Sequence, residues 1–516
     1  MSRAARKDEA VQFRKKSLAV GIGLQITGWL LKRLGRLIWL LCSTPIFATP
    51  LLVFVGLVLV GHTWGATALV ITGTLLITGT TAGMVVWQRR SPETFTRWVS
   101  GPARGQWRRL AVYRRWWPAA MAEAKLSRSS ADRDVLARLG RVHSTRNTDR
   151  VRVKVLRGQK MSDWATEATR LAQAFDVEHV RIVTVWKRQP KRKREAGKLP
   201  DRERQLIDLI ALRRDPLREG VASIDHPIED QLDLADTVDL ARLPIGWTED
   251  HTLYRLPLLG NHTLNVGCTG AGKGSFIWNV GKALGPAVRS GRVRLLGIDP
   301  KLIELPFGED MFHELITGDV VDETEEPDAA KANEAVLINF AEALERWARL
   351  MSDRLKQMKG KSRLHIPTPA EPLYVIFIDE MAALTCYITD RKIKDRIASV
   401  LARILTQGRA PGFIVIGCTQ DPRKEAVPQR GLFTIRLGMR LNEAADTEMI
   451  LGKDSIERGA LCHEIDRNMP GTAYALVDGT PEAVRLRFPW ISDDDIREMA
   501  QFYRPNPANP YLELAA

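Results

Sequence analysis

The chain has 516 residues, enough for two or three domains, and its net charge of +15 is unevenly spread. Residues 1–245 carry 43 basic and 23 acidic side chains, whereas residues 246–516 carry 33 and 38. The basic half can meet nucleic acid or an anionic membrane surface, which composition alone does not separate, and five cysteines without a CxxC spacing exclude a disulfide scaffold and the usual zinc sites.

Residues 1–36 form a basic tail, with nine Lys or Arg against two acids. Residues 37–61 carry no charge and exceed the ~20 residues that a helix needs to cross a bilayer. Pro45 and Pro50 interrupt this run, which a membrane helix tolerates. After a break at 62–65, residues 66–87 form a second uncharged run rich in Gly and Thr, as at close helix contacts in membranes. Lys32, Arg33 and Arg36 precede the pair, and Arg89 and Arg90 follow it. The asymmetry predicts a transmembrane hairpin in the cell membrane, multi-pass, with the N-terminus and everything after residue 87 cytoplasmic.

Residues 88–149 read as a juxtamembrane segment rich in Trp and Arg, including Trp107, Arg108 and Arg109 and the run YRRWW at 113–117. This mixture suits a lipid interface or a clamp on nucleic acid, and its place beside the membrane run favours lipid. Residues 150–186 read as a small α+β adaptor module. Val151, Val153 and Val155 alternate with charges, Gly158 turns the chain, and Trp164, Ala168, Leu171 and Phe175 fall at helical spacing before a β-rich run at 180–185. The run KRQPKRKR at 187–194 opens a basic linker, 187–242, with one helix expected near 202–213. Such a run is either a solvated loop or a nucleic-acid contact.

From residue 243 the pattern changes to alternating strands and helices, which predicts an α/β class with a parallel sheet and its ligands at the C-terminal edge. The strand HTLNV at 262–266 runs into GCTGAGKGS at 267–275 and then a helix at 276–284. Strand, glycine loop and helix make the setting of a phosphate-binding P-loop. Gly267, Cys268, Thr269, Gly270, Ala271, Gly272, Lys273, Gly274 and Ser275 would cradle the phosphates of ATP. Backbone N–H groups and the helix N-terminus would supply positive potential, and Lys273 would reach the β- and γ-phosphates. Cys268 reads as a small packed residue. Gly274 stands where a Ser or Thr ordinarily meets Mg2+. Ser275 is the nearest hydroxyl, and the spacing leaves its role open.

Residues 292–298 form a strand ending in Asp299, Pro300 and Lys301; an acidic loop at 322–328 precedes a helical stretch at 329–358. The apolar run LYVIFI at 373–378 closes on Asp379 and Glu380. This is a Walker B pattern, in which Asp379 would hold Mg2+ and Glu380 would polarise the attacking water. The strand FIVIGC at 413–418 is followed by Thr419 and Gln420, and Gln420 is placed to sense the terminal phosphate.

GCTGAGKGS, IDPK at 298–301, VIFIDE at 375–380 and GRAPGFIVIGCTQDP at 408–422, in that order, resemble the FtsK/SpoIIIE family of DNA-translocating ATPases. The resemblance covers roughly 243–490. It implies a RecA-like P-loop motor that uses ATP and Mg2+ and works as a homo-hexameric ring around double-stranded DNA. It also implies an arginine from the neighbouring subunit at each site, and Arg436 falls at the matching place, ahead of Arg430 and Arg409. The whole layout is similar to Tra/TraB-type transfer proteins of actinomycete conjugative elements, which implies the cytoplasmic membrane and other transfer proteins as partners. Only the 26 residues of 491–516 follow Trp490, too few for a winged-helix domain, so sequence-specific loading is expected to come from elsewhere. The leading expectation is therefore a membrane-anchored, ATP-driven DNA translocase that moves a plasmid or integrative element between cells. A septal chromosome pump and a type VII-like secretion ATPase are the alternatives. A non-enzymatic adaptor comes last, against the presence of Lys273, Asp379 and Glu380.

Overall fold

The computed structural model describes residues 45–130, 133–186, 202–224, 238–318 and 329–505. The basic tail, the start of the first apolar run, KRQPKRKR, the acidic loop at 322–328 and residues 506–516 lie outside the described residues. The chain divides into two units, 1–100 and 101–516, each taken by itself.

In the first unit a helix, α1 (Pro45–Arg90), leaves helical geometry at Gly65, with φ 87° and ψ 173°. Glycine tolerates this conformation, and the break falls within the interruption expected at 62–65. Within α1, Val70–Arg90 is 21 residues long with a mean hydropathy of 1.5, and none of it is buried. Among the described residues it is the one helix long and apolar enough to cross a membrane. Its Thr74, Thr78, Thr80 and Thr81 hydroxyls donate to carbonyls four residues back, at 2.6–2.8 Å. Each threonine thus satisfies its own polar group within the helix, as an apolar surrounding demands.

The second unit opens with α2 (Gly101–Arg108), a π-helical turn at Arg109–Tyr113, and α3 (Arg114–Glu123). They pack on a four-stranded antiparallel sheet of β1 (Arg138–Ser144), β2 (Thr148–Lys154), β3 (His179–Trp186) and β4 (Arg202–Leu212), in the order β1-β2-β4-β3. Two short helices, α4 (Met161–Thr166) and α5 (Ala168–Ala174), join β2 to β3. Val151 and Val153 are fully buried, as their alternation with charges requires.

Two expectations change here. The segment expected as a linker helix at 202–213 is β4, an interior strand paired on both sides. Ile207, Leu209 and Ala211 face the module's core, while Asp208 turns to Arg152, with both N–O distances at 2.8 Å. A short apolar run has no period of its own that separates helix from strand, so pairing with β2 and β3 decides. The Trp/Arg segment also splits. Tyr113 and Trp117 are buried against Phe175 and Trp164, whereas Trp107 and Trp116 stay 63% and 49% exposed. Tyr113, Trp117 and Met121 share one face of a helical run, and that face is core.

The rest of the unit is built on ten strands. In chain order they are β5 (Leu243–Thr248), β6 (Leu253–Leu256), β7 (Thr263–Val266), β8 (Val293–Asp299), β9 (Phe312–Thr317), β10 (Leu373–Ile378), β11 (Phe413–Thr419), β12 (Ile435–Gly438), β13 (Thr472–Val477) and β14 (Val484–Arg487). Their spatial order is β9-β8-β10-β11-β7-β12-β13-β14-β5-β6. The first six run parallel; the last four extend the sheet antiparallel. The expected parallel sheet is thus the site-bearing part of a mixed one.

Four helices cover the parallel strands: α6 (Lys273–Arg289), α7 (Ala329–Met358), α8 (Arg391–Gln407) and α9 (Asp493–Phe502). Alternate strand residues serve opposite faces. Leu296, Ile298, Tyr374, Ile376 and Ile378 meet α7 and α8, and Val293, Leu295, Val375 and Phe377 meet α6 and α9. Burial on both faces is why these strands read as unbroken apolar runs. α9 lies beyond the expected motor boundary at 490, yet its Ile496, Met499 and Ala500 are core.

His262, directly before β7, is fully buried, and its Nδ1 accepts the Val415 N–H at 3.0 Å. Burial, aided by the Arg409 charge, lowers its pKa to about 3. The unfolded chain takes up this proton below about pH 6.5, while the folded chain does not. This contribution to stability is therefore whole above that pH and is lost as the pH falls toward 3, at no more than ~1.4 kcal/mol per pH unit. Amide-exchange protection of Val415 and its β11 neighbours, corrected for intrinsic rates, should fall more steeply below pH 6 in the native protein than in His262→Gln. Equal slopes would remove His262 as the titrating group.

Candidate functional site

Four neighbouring strands, β8, β10, β11 and β7, end at one edge of the sheet. Ile298 pairs with Ile378, Ile378 with Gly417, and Thr419 with Val266. This register brings Asp299, Asp379 with Glu380, Thr419 with Gln420, and Gly267 out side by side. The convergence joins residues from 267 to 420 that the sequence keeps far apart.

The glycine loop turns tightly between β7 and α6. The Cys268 N–H donates to the Arg440 carbonyl at 3.0 Å, and Ala271 N–H to the Cys268 carbonyl at 3.1 Å. Cys268 is partly buried and packs on the α6 side of the core, as expected of a small packed residue. Gly272 has φ 90°, and a Cβ there would lie 2.4 Å from the Gly471 nitrogen, so no other residue fits. Lys273 folds back with Nζ 3.1 Å from the Gly267 carbonyl. Burial lowers its pKa, opposed by the charges of Glu380 and Asp379. The Thr269 hydroxyl, 2.9 Å from Gln420 Oε1, links the loop to the end of β11.

The two acids after β10 have different surroundings. Glu380, 2% exposed, accepts from Lys301 Nζ at 2.8 Å, the Thr419 hydroxyl at 2.6 Å, and the Gln420 and Ala382 N–H groups at 3.3 Å. Asp379 is also buried, and its pKa is pushed up to about 7, first by burial and then by the charges of Asp299 and Glu304. Asp299, with no exposed surface, accepts four backbone N–H groups. Lys301 N–H reaches Oδ1 at 3.0 Å, and those of Ile303, Glu304 and Leu305 reach Oδ2 at 3.1, 2.9 and 2.9 Å.

That turn delivers Glu304 to the first turn of α6, where its Oε1 accepts the Trp278 indole N–H at 2.8 Å. A Cβ added to Gly274 would lie 2.3 Å from the same Oε1 and 2.8 Å from Oε2. The carboxylate therefore fills the place where a Ser or Thr side chain would begin. Ser275, one residue on, is rotated by about 100° around the helix.

The expected residues of the loop, the two acids and Gln420 thus meet at one edge. Arg436 does not join them within the chain: it lies on β12, half-buried, with Nη1 3.3 Å from the Ile450 carbonyl. Burial lowers its pKa. Asp299, Lys301, Glu304 and Arg440, whose Nη2 donates to the Thr269 carbonyl at 2.8 Å, were not expected as site residues. Only the glycine at 274 hinted that something else occupies that position. Among the described residues, no group of three or more His, Cys, Asp or Glu is arranged to hold a metal ion alone.

No protein-family model matches the chain. Among curated proteins, a DNA translocase FtsK of Streptococcus pyogenes serotype M3 (strain SSI-1) is 27% identical over 286 residues, covering 52% of this chain and 32% of that protein. A DNA translocase FtsK of Lactococcus lactis subsp. cremoris (strain MG1363) is 27% identical over 295 residues, covering 53% and 35%. The chain spans about a third of the length of these relatives. Among solved structures, the pCW3 conjugation coupling protein TcpA, a monomer form with ATPγS, is 13% identical with a TM-score of 0.44, covering 75% of this chain and 98% of that one. The cytoplasmic domain of the type VII secretion ATPase EccC of Thermomonospora curvata is 18% identical with a TM-score of 0.43, covering 56% and 34%. The similarity to the FtsK relatives agrees with the family resemblance carried by the motifs.

Asp299→Ala should leave four N–H groups without their acceptor and cost about 2 kcal/mol or more locally. The readout is amide exchange, which should speed up at residues 301–305 well beyond any change in β8 itself. Unchanged protection at 303–305 would show that the turn stands without this carboxylate.

Proposed function

We propose that this chain is a membrane-anchored, ATP-driven translocase of double-stranded DNA that transfers a plasmid or integrative element between cells. The observation that carries the reading is the meeting of the glycine loop, Asp379–Glu380 and Thr419–Gln420 on adjacent strand ends. The relatives named DNA translocase support the choice of polymer, and the sequence layout resembling Tra/TraB-type proteins supports the choice of process.

In this reading the amides of residues 267–275 and the N-terminus of α6 hold the nucleotide phosphates, with Lys273 on the β- and γ-phosphates. Glu380 orients the attacking water and takes its proton. Gln420 contacts the terminal phosphate and, through Thr269, reports its presence to the loop. Arg436 acts on the nucleotide of a neighbouring subunit in a homo-hexameric ring. Asp379 and Ser275, with the Glu304 carboxylate beside Gly274, would hold Mg2+, which when bound would neutralise phosphate charge. The carboxylate filling the space beside Gly274 is the structural feature that fits such an ion. Two spans, 37–61 and 66–87, anchor the motor to the cytoplasmic face of the membrane. The segment 88–100 is the juxtamembrane part, 101–212 the adaptor, and 243–505 the motor.

ATPase activity of the full chain in detergent should rise with duplex DNA of any sequence and weaken with salt, because contact is to the phosphate backbone. The full chain is needed because cutting near residue 195 would separate β4 from its sheet. Lys273→Ala should lower turnover by about 100-fold or more, and Glu380→Gln should retain ATP without hydrolysing it. The native protein should also displace a triplex strand. Failure to respond to duplex DNA at any salt would end the translocase reading and put protein secretion first.

For topology, a reporter active only outside the cytoplasm should score outside when fused at Gly65 and inside at Arg90 and at the C-terminus. An external C-terminus would overturn the hairpin.

A further inference from the structure

Both oxygens of Glu380 already accept hydrogen bonds. Oε2 is held by Lys301 at 2.8 Å, Oε1 by the Thr419 hydroxyl at 2.6 Å, and Gln420 N–H lies 3.3 Å from both. A carboxylate takes a proton from a nucleophile more readily once a competing ammonium has left one of its oxygens. Of these donors, the Gln420 and Ala382 N–H groups are backbone, and Thr419 is fully buried on β11. Lys301 differs: its side chain is 36% exposed, and it is long and flexible. Its backbone, by contrast, is fixed to Asp299, so its ammonium can move while its stem stays at the strand edge.

Lys301 is also joined to the glycine loop: the Glu380 it holds accepts from the Thr419 hydroxyl, the Thr419 carbonyl accepts the Gly267 N–H at 3.2 Å, and the Gly267 carbonyl lies 3.1 Å from Lys273 Nζ. A lysine just past the end of β8 and a lysine at the start of α6 thus sit at the two ends of this short chain of hydrogen bonds. Drawing an ammonium off a buried carboxylate requires a stronger anion within reach, because an unpaired buried charge is costly. A terminal phosphate held by Lys273 is such an anion; a diphosphate carries no group there.

Resting on the ATPase reading above, we propose that Lys301 is a second lysine for the terminal phosphate. It holds Glu380 when no triphosphate is present and transfers to the γ-phosphate when one binds, freeing the Glu380 carboxylate for water. Hydrolysis returns Lys301 to Glu380, so each site is closed to water except in the triphosphate state.

The test measures ADP and ATPγS affinity of the full chain in detergent by calorimetry, for the native protein, Lys301→Met, Lys301→Arg, Glu380→Gln and the double variant. Lys301→Met should weaken ATPγS at least tenfold and leave ADP within about twofold, which also shows that the site is folded. Lys301→Arg should recover most of the loss. The double-mutant cycle separates the proposal from a fixed counter-ion. If Lys301 only neutralises Glu380, its removal should cost nothing once Glu380 is Gln. If it moves to phosphate, the tenfold loss should persist in that background. Disappearance of the loss in Glu380→Gln, or its absence in both backgrounds, overturns the proposal. A native protein that binds neither nucleotide would instead overturn the ATPase reading itself.

Discussion

The site depends on one buried charge. The Asp299 carboxylate has no exposed surface, and a bare ion in such a place would be strongly unfavourable. It persists because four N–H groups of one turn converge on it. Those N–H groups belong to Lys301, Ile303, Glu304 and Leu305, so the same interaction decides where the Lys301 and Glu304 side chains leave the backbone. The turn also requires Leu302 at φ 57°, a left-handed conformation that an ordinary side chain adopts only at a cost. One lysine and one carboxylate are thereby presented to the ends of the neighbouring strands.

What could be read from the sequence followed burial. LYVIFI and FIVIGC are buried on both faces, so they stand out as unbroken apolar runs, and the polar residues closing them mark the working edge. Gly272 was legible because the loop leaves no room for a side chain. Glu304 was not, because its role comes from a close approach to Gly274 that no spacing encodes. The sequence hides β4 because its partners β2 and β3 lie on the far side of a basic run. The aromatic residues of α3 and the turn before it show the opposite case. Tyr113, Trp117 and Met121 carry a helical period that separates core from surface, but the arginines between them suit a lipid headgroup equally well.

The imbalance of charge between the two halves also gains a partial internal meaning. Arg150 pairs with Glu482, Arg181 with Glu249, and Thr145 and Thr148 donate to Asp250 at 2.6 Å. Arg485 pairs in return with Asp215, from the stretch after β4. Basic side chains of the small module are thus matched by acids of the large sheet, with Arg181 only 5% exposed. Such partly desolvated pairs fix orientation more than they add stability, because each ion gives up its hydration to make them. The stretch 213–224, expected as a linker, is held in the same way, with Leu217 and Arg218 carbonyls accepting from Arg487.

The antiparallel end of the large sheet has a consequence for synthesis. β5 comes after the adaptor in the chain, yet it pairs with β14, through Thr248 with Leu486 and Trp247 with Arg487. A chain leaving the ribosome from its N-terminus therefore presents β5 and β6 long before residue 484 exists. During that interval the hairpin carries an open edge while the apolar helix ahead of it has already been made. The sheet can close only once β14 has been made, so a chain cut short before β14 keeps the glycine loop but lacks the strand that joins the sheet's two ends.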